Sequence, residues 1–207
     1  MRRVKAYPVQ IWFLDGDLLL SAQYLSNKQL NKTINGCFQA ICAAFFYFYG
    51  IRNAKFYKYY FDKERKTTTM ERFFPCWPLR ILPKFQGFGT RQSKWTRKCK
   101  EHFEYVKSYM NILLDEYEYR TGKAHGLEKF IEWLDFDAPK IKIPEGKLTK
   151  IVLEWKVLNP KYRRKDIIEG FRLQYKHVLS NDGIKIEDFT KRDVPEWLMS
   201  KTNDWLE

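Results

Sequence analysis

A chain of 207 residues, 44% of them hydrophobic, can bury a core of its own, which excludes a disordered polypeptide and fits one domain. Its formal charge of +13 is segregated: over residues 1–100 Lys and Arg outnumber Asp and Glu 19 to 5, whereas residues 101–138 carry 4 basic against 9 acidic side chains. One strongly basic half is an electrostatic footprint suited to nucleic acid, with affinity that falls steeply as salt rises; the alternative is that the charge serves solubility alone.

In chain order, residues 1–10 read as a basic N-terminal extension and 11–207 as a single compact domain, mainly α-helical with several helices. Residues 9–14 are rich in β-branched and aromatic side chains and predict a short N-terminal strand or extended entry segment. Asp15-Gly16-Asp17 turns the chain, and Asp17 is placed to cap a short helix over 18–25. Asn27 is placed to cap a longer helix over 28–49, whose Leu30, Ile34, Cys37, Phe38, Ile41, Phe45 and Phe48 recur at three- and four-residue intervals and define one buried face. Lys28 and Lys32, four apart, share another face; a solvated charged face is the plain alternative to a binding role.

Residues 51–90 break the pattern, because Pro75, Pro78 and Pro83 forbid a long helix there. The aromatic run 56–61, interleaved with Lys55, Lys58, Lys63, Arg65 and Lys66, offers rings to stack on unpaired bases, although most are expected to fill the core of this Pro/aromatic-rich loop region. Residues 93–121 then predict one long helix, with Trp95, Cys99, His102, Val106, Tyr109, Leu113 and Tyr117 on a stripe and Gly122 ending it. Its basic start (Lys94, Arg97, Lys98, Lys100) and acidic end (Asp115, Glu116, Glu118) both oppose the helix dipole, so a group outside the helix, such as a phosphate backbone, is expected to satisfy the first turn. A helix over 127–136, a Lys/Pro-rich connection over 139–144, a last long helix over 165–180 and a closing segment around 193–197 follow.

Cys37, Cys42, Cys76 and Cys99 lie mostly in apolar or helical sequence with no signal peptide ahead of them, which predicts reduced thiols and a cytoplasmic protein. Cys99 and His102 would lie one turn apart, but no C-x-x-C pair and no carboxylate-rich cluster accompanies them, so neither metal nor cofactor is expected. The apolar run 40–49 is too short to span a bilayer, and no membrane association is expected.

The order of a Leu14-Asp15 segment end, a short helix with Ser21-Ala22, and then Asn27-Lys28-Gln29-Leu30-Asn31-Lys32 resembles a group of small phage proteins. The likeness continues through Lys94-Trp95, through 116–125 (Glu-Tyr-Glu-Tyr-Arg-Thr-Gly-Lys-Ala-His), through 171–175 and into 191–197. That group is in turn distantly similar to pyrimidine-dimer DNA glycosylases of the endonuclease V type, compact helical enzymes that use an amine nucleophile and a helical glutamate. The resemblance implies a phage-encoded protein acting in a bacterial host cell, with DNA, double-stranded or locally unpaired, as partner and other phage proteins as further candidates.

An amine attacking the sugar C1′ forms a Schiff base, and a carboxylate must stabilise the positive charge developing on the ribose. The resemblance puts that carboxylate at Gly36, its Asp-Lys-His word at Asn27-Lys28-Gln29, and its Asn-His-Pro word at Gly89-Thr90-Arg91; the reactive side chains are replaced. What remains is Lys28, Lys32, Gln39, Trp95, Glu116, Tyr117, Arg120, Lys123 and His125. If chemistry persists, Lys28 is the candidate amine, with Lys32 depressing its pKa. Lys28, Lys32, Arg91, Lys94, Arg97, Lys98, Arg120, Lys123 and His125 are the expected nucleic-acid contacts; Glu116 and Arg120, four apart, read either as part of an anion pocket or as a surface pair. The sequence thus predicts a DNA-binding relative of base-excision glycosylases with impaired catalysis. An active glycosylase or base-modifying enzyme with a relocated nucleophile, and a non-catalytic virion or replication accessory protein, are the other classes.

Overall fold

The structure is a computed structural model, and it describes residues 11–48, 90–136, 141–149, 158–182 and 186–199. Among these the fold is mainly helical, as expected, with no strand. The helices are α1 (Leu18–Gln23), α2 (Asn27–Phe48), α3 (Arg91–Thr96), α4 (Lys100–Thr121), α5 (Glu128–Phe136), α6 (Ile167–Asp182) and α7 (Glu196–Met199), with 3-10 turns at Pro160–Tyr162 and Ile186–Asp188. The aromatic segment 51–89 and the extension 1–10 lie outside the described residues.

Residues 11–14 are extended and buried, yet no strand pairs with them among the described residues. Buried backbone groups must still find partners, and side chains from four helices supply them. The Gln92 amide of α3 accepts from Ile11 N–H (3.3 Å) and donates to Ile11 C=O (2.7 Å). Leu14 N–H donates to Ser21 Oγ (2.8 Å), Ser21 Oγ lies 3.0 Å from Tyr109 Oη, and that phenol donates to Trp12 C=O (2.8 Å). Arg172 of α6 closes the set by donating from Nε to Leu14 C=O (2.6 Å) and from its terminal nitrogen to Asp15 (2.7 Å). The segment is therefore an extended entry whose polar groups are read by side chains, with Phe13 stacked on Tyr109 and Trp12 edge-on to Tyr175.

The centre of the core is the pair α2 and α4, each of 22 residues. They run antiparallel: Phe45 meets Phe103 at one end, and Asn31 meets His125, just past α4, at the other. The expected face of α2 is buried through Leu30, Ile34, Cys37, Phe38, Ile41 and Phe45, with Phe48 half-buried at its end. Each such large apolar side chain contributes about 1.5–3 kcal/mol on burial. Asp17 caps α1 as expected, accepting from the N–H groups of Leu19 and Leu20. The cap of α2 falls one residue earlier than expected: Ser26 C=O accepts from Leu30 N–H (2.7 Å) and its hydroxyl from Gln29 N–H, while Asn27 turns elsewhere. Gly122 ends α4 in the left-handed region (φ 69), where a side chain is strained.

The single helix expected over 93–121 is two helices. Arg97 leaves helical geometry and Cys99 is extended (φ −154, ψ 166), so α3 ends before α4 begins. The break folds α3 back so that the Trp95 ring stacks on His102 at 4.0 Å, with His102 Nδ1 2.8 Å from Trp95 C=O. A periodic stripe does not report such a break, because both sides of it bury the same face.

The segment 141–149 crosses the start of α4 as a strap. Lys100 N–H donates to Pro144 C=O (2.9 Å), Lys100 Nζ approaches Glu145 (3.4 Å), and the Glu101 carboxylate accepts from Leu148 N–H. Of the expected basic start, Lys100 alone falls in the first turn of α4 and is answered from within the chain; Lys94, Arg97 and Lys98 belong to α3 and the break after it. Cys99 Sγ faces Lys147 C=O, and His102 Nε2 accepts from Thr149 N–H (2.9 Å), so this Cys and His serve the strap.

Candidate nucleic-acid interface

The end of α4 carries a buried charge cluster. Glu116, 3% exposed, accepts from Arg120 Nε (2.6 Å) on one oxygen, and Arg192 bridges both oxygens (2.9 and 2.7 Å). Burial alone would raise its pKa, but the hydrogen bonds from Arg192 and Arg120 prevail and hold it below the ordinary carboxylate value. Arg120, expected at a nucleic-acid surface, is itself 3% exposed; this corrects that assignment and both readings of the Glu116–Arg120 pair. Its terminal nitrogens donate to the C=O groups of Leu25 (2.6 Å) and Gln23 (2.9 Å) and to Asn27 Oδ1 (3.2 Å). Arg120 is the cation that closes the end of α1 and holds the turn into α2.

Beyond that cluster the turn after Gly122 reaches back to α2. His125 Nδ1 accepts from Leu127 N–H (3.1 Å), which puts the ring proton on Nε2, and Nε2 lies 3.1 Å from Asn31 Oδ1. Burial pushes the His125 pKa down, favouring this neutral form, and Tyr117 packs edge-on against the ring. Asn35 Nδ2 donates to Asn31 C=O (2.8 Å) and to Asn31 Oδ1 (3.2 Å). Lys28 and Lys32 are exposed on the same half of α2, and Lys123 is exposed on the turn that carries His125. The structure therefore brings Lys28, Lys32, Lys123 and His125 to one end of the α2/α4 pair. Asn31 and Asn35 belong with them; their signal was legible, since 28, 31, 32 and 35 share one helical face.

The other expected cations gather elsewhere. Arg91, Lys94 and Lys98 are exposed around α3, and Arg97 lies over the Tyr47 ring at 4.7 Å near the far end of α2. At about 1.5 Å per helical residue Tyr47, and with it Arg97, lies about 30 Å along α2 from Lys28. The two groups are separate stations.

Among the described residues no carboxylate stands where the resemblance would put one on α2. Gly36 is buried, α2 contains no acidic residue, and the buried carboxylate near its start, Glu116, has both oxygens engaged by arginines. A cavity of about 230 Å³ between α6 and Trp197 is lined by Asp166, Glu169, Arg172 and Lys176, whose opposite charges balance. No helix among the described residues is long and apolar enough to cross a membrane, and no group of three metal-ligating side chains occurs among them. Comparison with models of known protein families, with curated proteins and with solved structures finds no match.

Proposed function

We propose that this chain is a DNA-binding protein that keeps the framework of a base-excision glycosylase and not its chemistry. The observation that carries the reading is the exposed group Lys28, Lys32 and Lys123 beside the Asn31–His125 contact, in a chain of net charge +13. Flexible ammonium groups neutralise phosphates, and amide side chains beside them meet base edges. An amine reaction at Lys28 would need a carboxylate to hold the ribosyl cation, and Glu116 is committed to two guanidinium groups. Binding without strand cleavage is the expected behaviour, in the phage-infected cytoplasm that the resemblance implies.

The test is fluorescence anisotropy with labelled duplexes, undamaged or carrying a cyclobutane dimer or an abasic site, between about 50 and 200 mM salt, with borohydride present in a parallel set. Retained binding whose log affinity falls linearly with log salt, with no trapped adduct, supports the reading. A borohydride-trapped adduct lost in Lys28→Ala would show an active lyase instead. Absence of binding at low salt would leave the non-catalytic accessory class.

A further inference from the structure

We infer that Asn31 and Asn35, locked in register by His125, read the major-groove edge of an adenine. This inference rests on the DNA-binding reading and adds a base preference to it. The His125 ring fixes the geometry: Leu127 N–H holds Nδ1 as an acceptor, so Nε2–H points at Asn31 Oδ1. That oxygen also receives Asn35 Nδ2, which leaves the Asn31 amide presenting its N–H groups and the Asn35 amide presenting its oxygen. One donor and one acceptor stand on adjacent turns of α2, Asn31 exposed and Asn35 half-buried, on the face that carries Lys28 and Lys32.

Adenine alone among the four bases offers the complementary pair, an N7 acceptor beside an N6–H donor. Guanine offers O6 beside N7, which would face the Asn35 oxygen with a second acceptor. Thymine offers only the O4 acceptor, and cytosine only the N4–H donor. The two lysines supply phosphate contacts that set the register without choosing a sequence. His125 touches no base in this arrangement; it is a positioning residue whose removal frees the Asn31 amide to rotate.

The experiment is selection from a duplex library with a randomised centre, followed by titration of the selected duplex and of the same duplex with 7-deaza-adenine, which lacks the N7 acceptor, at the selected position. The expected result is a fixed adenine whose 7-deaza substitution weakens the wild type about tenfold, a loss abolished in Asn31→Ala. His125→Ala and Asn35→Ala should lose the preference, each binding the adenine duplex and its 7-deaza-adenine counterpart with equal affinity. Selection of another base, or of none, with Asn31→Ala and Asn35→Ala binding as the wild type does, would overturn the inference and leave the DNA-binding reading standing. Absence of retention of any duplex at low salt would remove both.

Discussion

Gly146 passes so close to Cys99 that a β-carbon on residue 146 would lie 2.7 Å from Cys99 Cβ. The close approach is what lets the strap lie flat across the start of α4, where Pro144 C=O and the side chains of Glu101 and His102 hold it. Gly146→Ala must push the strap away, and overpacking of this kind costs about 1–3 kcal/mol. Urea denaturation should show that loss, and amide exchange should quicken at Leu148 and Thr149. Because the clash is with a β-carbon, Cys99→Gly should restore most of the stability and Cys99→Ser should not.

Among the described residues the Glu116 carboxylate is the anion that pairs with both Arg120 and Arg192, and removing it strands the buried guanidinium of Arg120. Breaking a buried pair from one side costs about 3–5 kcal/mol. Glu116→Gln is therefore expected to lower stability by about 3 kcal/mol. Arg192→Ala should cost clearly less, since the Arg192 side chain is 26% exposed and water can replace it. Equal losses from Arg192→Ala and Arg120→Ala would show that Arg120 is not the anchor.

Much of this framework was legible in the sequence because it depends on local periodicity. The α2 stripe from Leu30 to Phe45, the Asp17 cap and the Gly122 stop are set by neighbours within one or two turns. What escaped depends on distant partners. Arg120 looks like a surface cation until the carbonyls of Gln23 and Leu25, nearly a hundred residues away, are placed against it. The α3/α4 break is fixed by Trp95 stacking on His102 and by a strap 47 residues downstream. Asn31 and Asn35 sat on the expected lysine face, but only His125, 94 residues from Asn31, gives their amides a direction.

Two histidines make the fold sensitive to mild acid. Burial lowers the His102 pKa, with Lys98 acting in the same sense and the Trp95 carbonyl and Glu101 against it; burial lowers that of His125 too. A depressed histidine pKa means the unfolded chain takes up the proton first. Stability is therefore full above the ordinary value of about 6.5 and falls as pH drops through the lowered folded values. His102 has an added reason, since Nε2 accepts from Thr149 N–H and cannot do so once protonated. Urea midpoints should decline from pH 7.5 to 5, and His102→Asn should flatten part of that slope while lowering the midpoint at pH 7.5. An unchanged slope would mean that His102 is not the titrating group.

The two basic stations make a quantitative prediction about DNA. Lys28 and Lys32 lie at one end of α2, and Arg97, which adjoins Lys98 and follows Lys94 by one turn, lies over Tyr47 near the other, about 30 Å away by helix length. At about 3.4 Å per base pair, one duplex touching both must run for about nine base pairs. Side chains that far apart do not touch one another, so on a duplex that reaches both their contributions to the free energy of binding should add to within about 0.5 kcal/mol. Lys28→Ala/Lys32→Ala and Arg91→Ala/Lys94→Ala/Lys98→Ala should each weaken a 16-base-pair duplex and lower the salt slope by about 0.9 for every phosphate no longer neutralised. On a six-base-pair hairpin stem only one station can engage at a time, so either set of substitutions alone should cost little, because the intact station still binds, and the two sets together should lose far more than the sum. Full additivity on the short stem would mean that both stations touch the same six base pairs and stand closer together than the helix length sets them.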